Sequence, residues 1–209
     1  MSDPRTALAA LGTRFYERGW MWATAGNLSA RADAESFWIT ASGCPKGALT
    51  VADFVRIRIV DGAVVSDDAT GQKPSAETAI HRAIYRERPS TGCCLHVHTV
   101  AAVLASEIGS CLRLPAIEMI KALGVWADDP QVVLPVFVNH HEVARIGEEV
   151  GAYLRECPQA IPAVVVSRHG TTAWGASLTQ ATTHLEAIEF LFAVMARQMP
   201  APIERSIGR

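Results

Sequence analysis

The sequence predicts an α/β fold in which helices sandwich a central, mainly antiparallel sheet. Three observations carry this reading. Short apolar, strand-like segments alternate with helical patterns through the middle of the 209-residue chain. Helical patterns cluster near both of its ends. Asp61-Gly62 is a hairpin-turn signal between the strand-like residues 54–60 and Ala63-Val64-Val65, and a tight hairpin joins only antiparallel neighbours.

Each element has its own local cause. Leu8, Leu11 and Phe15 recur at helical spacing, so a first helix should end by Gly19. Residues 37–40 and 54–60 read as strands. Ser75, after Pro74, is a candidate N-cap for a helix over 75–87. An apolar strand follows through Cys93-Cys94-Leu95-His96-Val97-His98, then a helix over about 100–107 and a short helix near 118–123. Residues 131–138 read as a strand. Asn139 and Glu142 have the spacing of a capping box that opens a helix running to about 156. Residues 163–167 and 171–174 are further strands. Leu185, Ile188, Leu191, Phe192 and Met195 form the apolar stripe of a long final helix. No internal repeat or linker is visible, so residues 1–209 are read as one domain.

Composition narrows the function classes. Hydrophobic residues make up 49% and charged residues 19% of the chain, which suits a packed core and not a disordered segment. The net charge of −2 provides no basic field for nucleic acid or for an anionic membrane surface. No apolar run is long enough to span a bilayer, and no signal core follows Met1. Cys44, Cys93, Cys94, Cys111 and Cys157 are odd in number, so reduced thiols in the cytoplasm are expected.

His96-Val97-His98 is the most chemically specific feature. Alternate residues of a strand share a face, so both imidazoles point the same way. Their Cα atoms would lie roughly 6–7 Å apart along the strand. That geometry serves a metal ion, and it serves equally a hydrogen-bonded pair of strand-end histidines. An open zinc site takes three protein ligands. His81, His140, His141, His169 and His184 are the candidates for the third, and His169 is preferred because it follows an apolar strand as His96 and His98 do. His140 and His141 fall at a helix start, and His184 lies within the final helix. Glu118 stands among apolar neighbours: burial there would raise its pKa toward a general acid/base value, whereas the residues alone favour an exposed glutamate at a helix start. Glu77 is expected in the first turn of its helix, favoured there by the macrodipole, with His81 one turn on as a local partner. Gly26-Asn27-Leu28-Ser29 and Ala41-Ser42-Gly43, with Lys46 behind the second, are small polar loops able to cradle a phosphate. No glycine-rich nucleotide motif is present.

In their order along the chain, Gly26-Asn27-Leu28-Ser29, Ile39-Thr40-Ala41-Ser42-Gly43, Lys73-Pro74-Ser75-Ala76-Glu77, His96-Val97-His98 and His169-Gly170 resemble the class II aldolase/adducin-like family. The resemblance implies a three-layer α/β/α class II aldolase-like fold and a homotetramer with sites at subunit interfaces. It implies one Zn2+ per subunit on His96, His98 and His169. It also implies a phosphate pocket from Gly26, Asn27, Ser42 and Gly43, joined by Lys46, and a small phosphorylated ketose as substrate. Glu118-Met119-Ile120-Lys121-Ala122-Leu123-Gly124 and Arg168-His169-Gly170 with Trp174-Gly175 resemble the branch that dehydrates a methylthio-substituted ketose 1-phosphate in methionine salvage. In that branch the residue matching Glu118 is the acid/base. Glu77 matches the acidic catalytic position of the family's sugar-phosphate aldolases.

The same resemblance leaves a ketose-1-phosphate aldolase or a pentulose-phosphate epimerase as alternatives, and a non-enzymatic adducin-like module as a further one. The family's aldolases use tyrosines, one of them near the C-terminal tail. The tyrosines here are Tyr16, Tyr85 and Tyr153, with none over 200–209, which counts against aldol cleavage. The full histidine set counts against the module.

Overall fold

A computed structural model describes residues 3–65 and 71–199. Its elements follow in the order α1 (Pro4–Glu17), β1 (Asn27–Arg31), β2 (Ser36–Thr40), β3 (Phe54–Arg58), α2 (Thr78–Glu87), β4 (Cys93–Val97), α3 (Val100–Ser106), β5 (Cys111–Arg113), β6 (Val133–Phe137), α4 (Val143–Glu156), β7 (Ala163–Val166), β8 (Gly170–Gly175) and α5 (Leu178–Gln198). The strands form one sheet of eight in the order β3-β2-β1-β4-β8-β7-β6-β5. It is a mixed sheet: only β6 and β7 run parallel, with α4 as their crossover, and the other pairs are antiparallel.

Directly paired residues share a face of the sheet. Leu28, Leu95 and Ala173 are aligned across β1, β4 and β8 and line one face. Helix α1 packs there, Gly12 lying over Leu28, and α5 packs on the same side against β4 and β8. The opposite face carries Ser29, whose hydroxyl meets His81 and Tyr85 of α2. Helix α4 covers α2, where a Cβ on Gly147 would come 2.7 Å from the Ala79 carbonyl oxygen. Phe15, Leu28, Leu95, Ile188 and Phe192 are fully buried in the α1/α5 layer, and each such side chain contributes about 1.5–3 kcal/mol.

The hairpin after β3 closes as expected: Arg58 N donates to Ala63 O at 2.8 Å, and Gly62 takes φ +80°. Helix α1 ends before Gly19, which has φ +73°. Two helix starts differ from expectation. The helix predicted from Ser75 begins at Thr78, with Glu77 in the N-cap position. Ser75 N donates to Thr40 O and Ser42 N to Lys73 O, so residues 73–75 are held extended along the end of β2. The Asn139/Glu142 capping box does not form either. A turn from His140 N to Val138 O delays the helix, and Glu142 occupies the N-cap position without a side-chain cap bond. Residues Glu118–Leu123 form a 3-10 helix closed by Gly124 at φ +82°.

Gly170 begins β8 where β4 passes closest. A Cβ there would lie 2.1 Å from the Val97 carbonyl oxygen, and the paired backbones cannot separate without breaking the ladder. Gly170→Ala should therefore lower the unfolding free energy by about 1–3 kcal/mol, measured by urea unfolding.

Candidate metal centre

The register of three strands sets the site. Asn27 of β1 pairs with His96 of β4, and His96 pairs with Thr172 of β8. His98 follows two residues after His96, so its ring emerges on the same face. His169 arrives from the turn between β7 and β8. Arg168 holds that turn in the left-handed region at φ +52°, an uncommon conformation for a side chain with a Cβ. Its backbone N–H donates to Ser106 Oγ at 2.9 Å, and its Nε donates to Glu107 at 2.8 Å. The ring centroids of His96, His98 and His169 then lie 4.5–5.1 Å apart. The late start of α2 turns Glu77 toward them.

One ligand atom from each of Glu77, His96, His98 and His169 falls within 4.8 Å of the other three. His169 Nε2 is 2.7 Å from Glu77 Oε1, and His96 Nε2 is 3.4 Å from Oε2. The Nε2 atoms of His96 and His98 are 2.9 Å apart. His96 Nδ1 donates to the Thr171 carbonyl at 3.0 Å, with Thr172 Oγ1 at 2.9 Å. A carbonyl only accepts, so Nδ1 carries the proton and Nε2 presents its lone pair to the cluster. The Asn27 amide donates to Glu77 Oε2 and fixes the carboxylate.

Charge completes the picture. Burial pushes the pKa of His96 down to about 4 and that of His98 down to about 3, leaving both rings neutral near pH 7. Burial alone would raise Glu77. The neighbouring His96, His169 and His98 outweigh it and hold this carboxyl well below the usual carboxylate range. Neutral imidazoles beside one carboxylate are a nitrogen–oxygen donor set that fits a divalent transition-metal ion.

Beside the cluster, Gly26, Ser42, Gly43 and Lys46 line a cleft of about 230 Å3 with Glu77 and His98. Thr24, not singled out in the sequence, and Ser75, expected there only as an N-cap, share its wall. Gly26 has φ +78°, and a Cβ on it would lie 2.9 Å from the His96 carbonyl oxygen. Lys46 is buried; its Nζ donates to Cys44 O at 2.8 Å, and burial lowers its pKa. Asn27 does not line this wall; it is buried behind Glu77.

The other sequence candidates separate from the site. Glu118 is exposed, as its place at a helix start favours on the residues alone, and is not buried among its apolar neighbours. The 3-10 helix buries Ile120 and Leu123 and turns Glu118 outward, leaving its side chain 85% exposed and 3.0 Å from Lys121 Nζ. It borders a different cleft, with Ile117 and Trp126. His81 is not paired locally with Glu77: its Nδ1 meets Ser29 Oγ at 2.7 Å, and burial pushes its pKa down to about 4. His140 pairs with Glu149, and His184 Nδ1 donates to Trp174 O at 2.6 Å.

Residues 6–196 match the family described as Class II Aldolase and Adducin N-terminal domain. A methylthioribulose-1-phosphate dehydratase of Microcystis aeruginosa is 47% identical over 194 residues, covering 92% of this chain and 94% of that one. A methylthioribulose-1-phosphate dehydratase of Leptospira biflexa is 44% identical, covering 92% and 96%. Among solved structures, an l-fuculose-1-phosphate aldolase from Thermus thermophilus superposes with a TM-score of 0.73 at 25% identity, covering 93% and 96%. A second L-fuculose 1-phosphate aldolase structure reaches 0.76 at 23% identity, covering 97% and 91%, and speaks for the fold.

The buried histidines give a pH prediction. The folded pKa values of His81, His96 and His98 are depressed from 6.5 to about 4, 4 and 3. Below pH 6.5 the unfolded chain therefore binds protons that the folded chain refuses. The stability that these three histidines give the metal-free protein should be full above pH 6.5 and be lost progressively as pH drops toward 4, read as a net fall in Tm between those pH values.

Proposed function

The chain belongs to the class II aldolase and adducin family, and from that premise we propose that it is a metal-dependent hydro-lyase, converting 5-methylthioribulose 1-phosphate to 2,3-diketo-5-methylthiopentyl 1-phosphate. The near full-length likeness to relatives named for this dehydration carries the reading. The reaction would serve methionine salvage in the cytoplasm. Among the described residues, no helix is long and apolar enough to cross a membrane.

His96, His98 and His169 would hold a zinc ion, with Glu77 as the carboxylate of the donor set. When bound, zinc supplies Lewis-acid polarisation of the substrate's C2 carbonyl and C3 hydroxyl oxygens. Lys46 supplies positive charge for the phosphate, and Gly26, Ser42 and Gly43 let it approach the backbone closely. Asn27 fixes Glu77, which orients the ketose oxygens at the mouth of the cluster. Glu118 takes the C3 proton and returns a proton to the departing C4 hydroxyl, which leaves as water. The resulting enol tautomerises to the 2,3-diketone. Because Glu118 is exposed and borders a different cleft from that of the cluster, we assign this role to Glu118 acting at the cluster of a second copy, as in the homotetramer proposed here.

A second reading, aldol cleavage of a ketose 1-phosphate, is favoured by the likeness to the Thermus fuculose-phosphate aldolase and by the retained Glu77. Incubation with methylthioribulose 1-phosphate separates the two. Formation of the diketone supports dehydration; release of dihydroxyacetone phosphate supports cleavage and overturns it.

Glu118→Gln should keep the metal content of the parent and lower kcat by about 10²–10⁴-fold; near-parental turnover would remove Glu118 from the mechanism. Co-expression of Glu118→Gln with His98→Ala should restore turnover that neither variant has alone, because the acid/base and the donor set then come from different chains.

A further inference from the structure

Glu189 lies within α5, on the face of the sheet opposite the histidine cluster, and is 3% exposed. Its Oε2 accepts from the Thr99 hydroxyl. The same hydroxyl accepts from Ala102 N at 2.9 Å and so caps α3. The carboxyl also faces the Thr171 hydroxyl. That hydroxyl and Oε1 of Glu189 are both buried, and neither has a hydrogen-bond partner within bonding geometry. Burial pushes the Glu189 pKa up to about 7. Oε2 is taken by Thr99, and Oε1 is the atom that can pair with the Thr171 hydroxyl, accepting from it as a carboxylate or donating to it as a carboxylic acid.

A carboxyl in this layer is costly. Its neighbours along α5, Leu185, Ile188 and Phe192, are fully buried and apolar, and a leucine would pack there with no polar group to desolvate. What the carboxyl adds is direction. Thr99 directly follows His98. Thr171 stands two residues after His169, and its carbonyl accepts from His96 Nδ1. One side chain thus reaches both segments on which the three rings are mounted.

We propose that Glu189 is a positioning residue for the histidine cluster, bridging Thr99 and Thr171 so that the backbones carrying His96, His98 and His169 are held in one arrangement. It touches neither substrate nor reacting atoms. Its effect on ion affinity rests on the metal reading above; its effect on ring placement does not. Outer partners of this kind are worth about 10–100-fold in metal affinity.

The test uses full-length protein freed of metal. Imidazole nitrogen NMR signals of the three histidines report ring placement, and zinc titration against a chelating dye reports affinity. Glu189→Ala and Glu189→Leu should both move the ring signals and weaken zinc binding by about 10–100-fold, although leucine refills the space. Glu189→Gln keeps an acceptor for Thr99 and a donor for Thr171, and should stay near the parent in both measurements. Parental ring signals in a folded Glu189→Leu protein would overturn the proposal, because packing alone would then suffice. If neither the alanine nor the leucine variant folds by circular dichroism, Thr171→Val is read by the same two measurements, and parental ring signals there overturn it. A parent protein that takes up no zinc removes the metal reading, and the ring signals then decide the role of Glu189 alone.

Discussion

The pairing of β4 between β1 and β8 is the constraint on which everything chemical in this protein depends. It aligns Asn27, His96 and Thr172 in one row across three strands. From that row His96 receives its tautomer, through the Thr171 carbonyl, and Glu77 receives its orientation, through the Asn27 amide. A slip of one residue would send His96 to the opposite face and Leu95 into its place. The register is protected because Leu28, Leu95 and Ala173 are buried together on the α1/α5 side. The core therefore specifies the site, and the apolar face of the sheet positions the polar one.

The cluster illustrates how desolvation and Coulomb attraction divide the work. Burial dominates at His96 and His98 and keeps the rings neutral. At Glu77 burial is the largest single effect yet loses to three imidazoles acting together. The outcome is one negative charge beside three ring nitrogens gathered on one point, with the His96 Nε2 lone pair turned inward, which is the electrostatic demand of a cation. On the other wall, Lys46 is buried against its own chain, bonded to Cys44 O. Both charge signs thus meet in one small cleft without a direct ion pair between them to quench it.

Much of this was legible in the sequence, and the exceptions have physical reasons. Strand alternation placed His96 and His98 on one face, and the position of His169 after an apolar strand marked it as their companion. Both long terminal helices announced themselves through their apolar stripes. The helix start beside Glu77 differs because a propensity argument begins the helix at Ser75, whereas the chain there is committed to hydrogen bonds with the end of β2. Asn27 looked like a phosphate contact because its loop is rich in small residues, but its partner is 50 residues away. At Glu118 the residues left burial and exposure open and favoured exposure; the 3-10 turn buries Ile120 and Leu123 and sends the carboxylate outward. Glu189 carried no signal at all: one acid on an apolar helix looks like a solvent-facing position until the tertiary contacts exist.

The distances along the chain between these partners have a consequence for how the protein is made. Asn27 and Glu77 are 50 residues apart, His96 and Thr171 are 75 apart, and Glu77 and His169 are 92 apart. Such non-local closures are slow, since loop entropy is lost before any contact rewards it. During synthesis the first half of the sheet can pair, and His96 and His98 can emerge, long before His169 leaves the ribosome. Until β8 docks there is no third ring and no tautomer lock on His96, and Glu77 lacks its His169 partner. An ion held by this cluster would therefore be captured at the end of folding, stabilising a finished protein and not templating a nascent one.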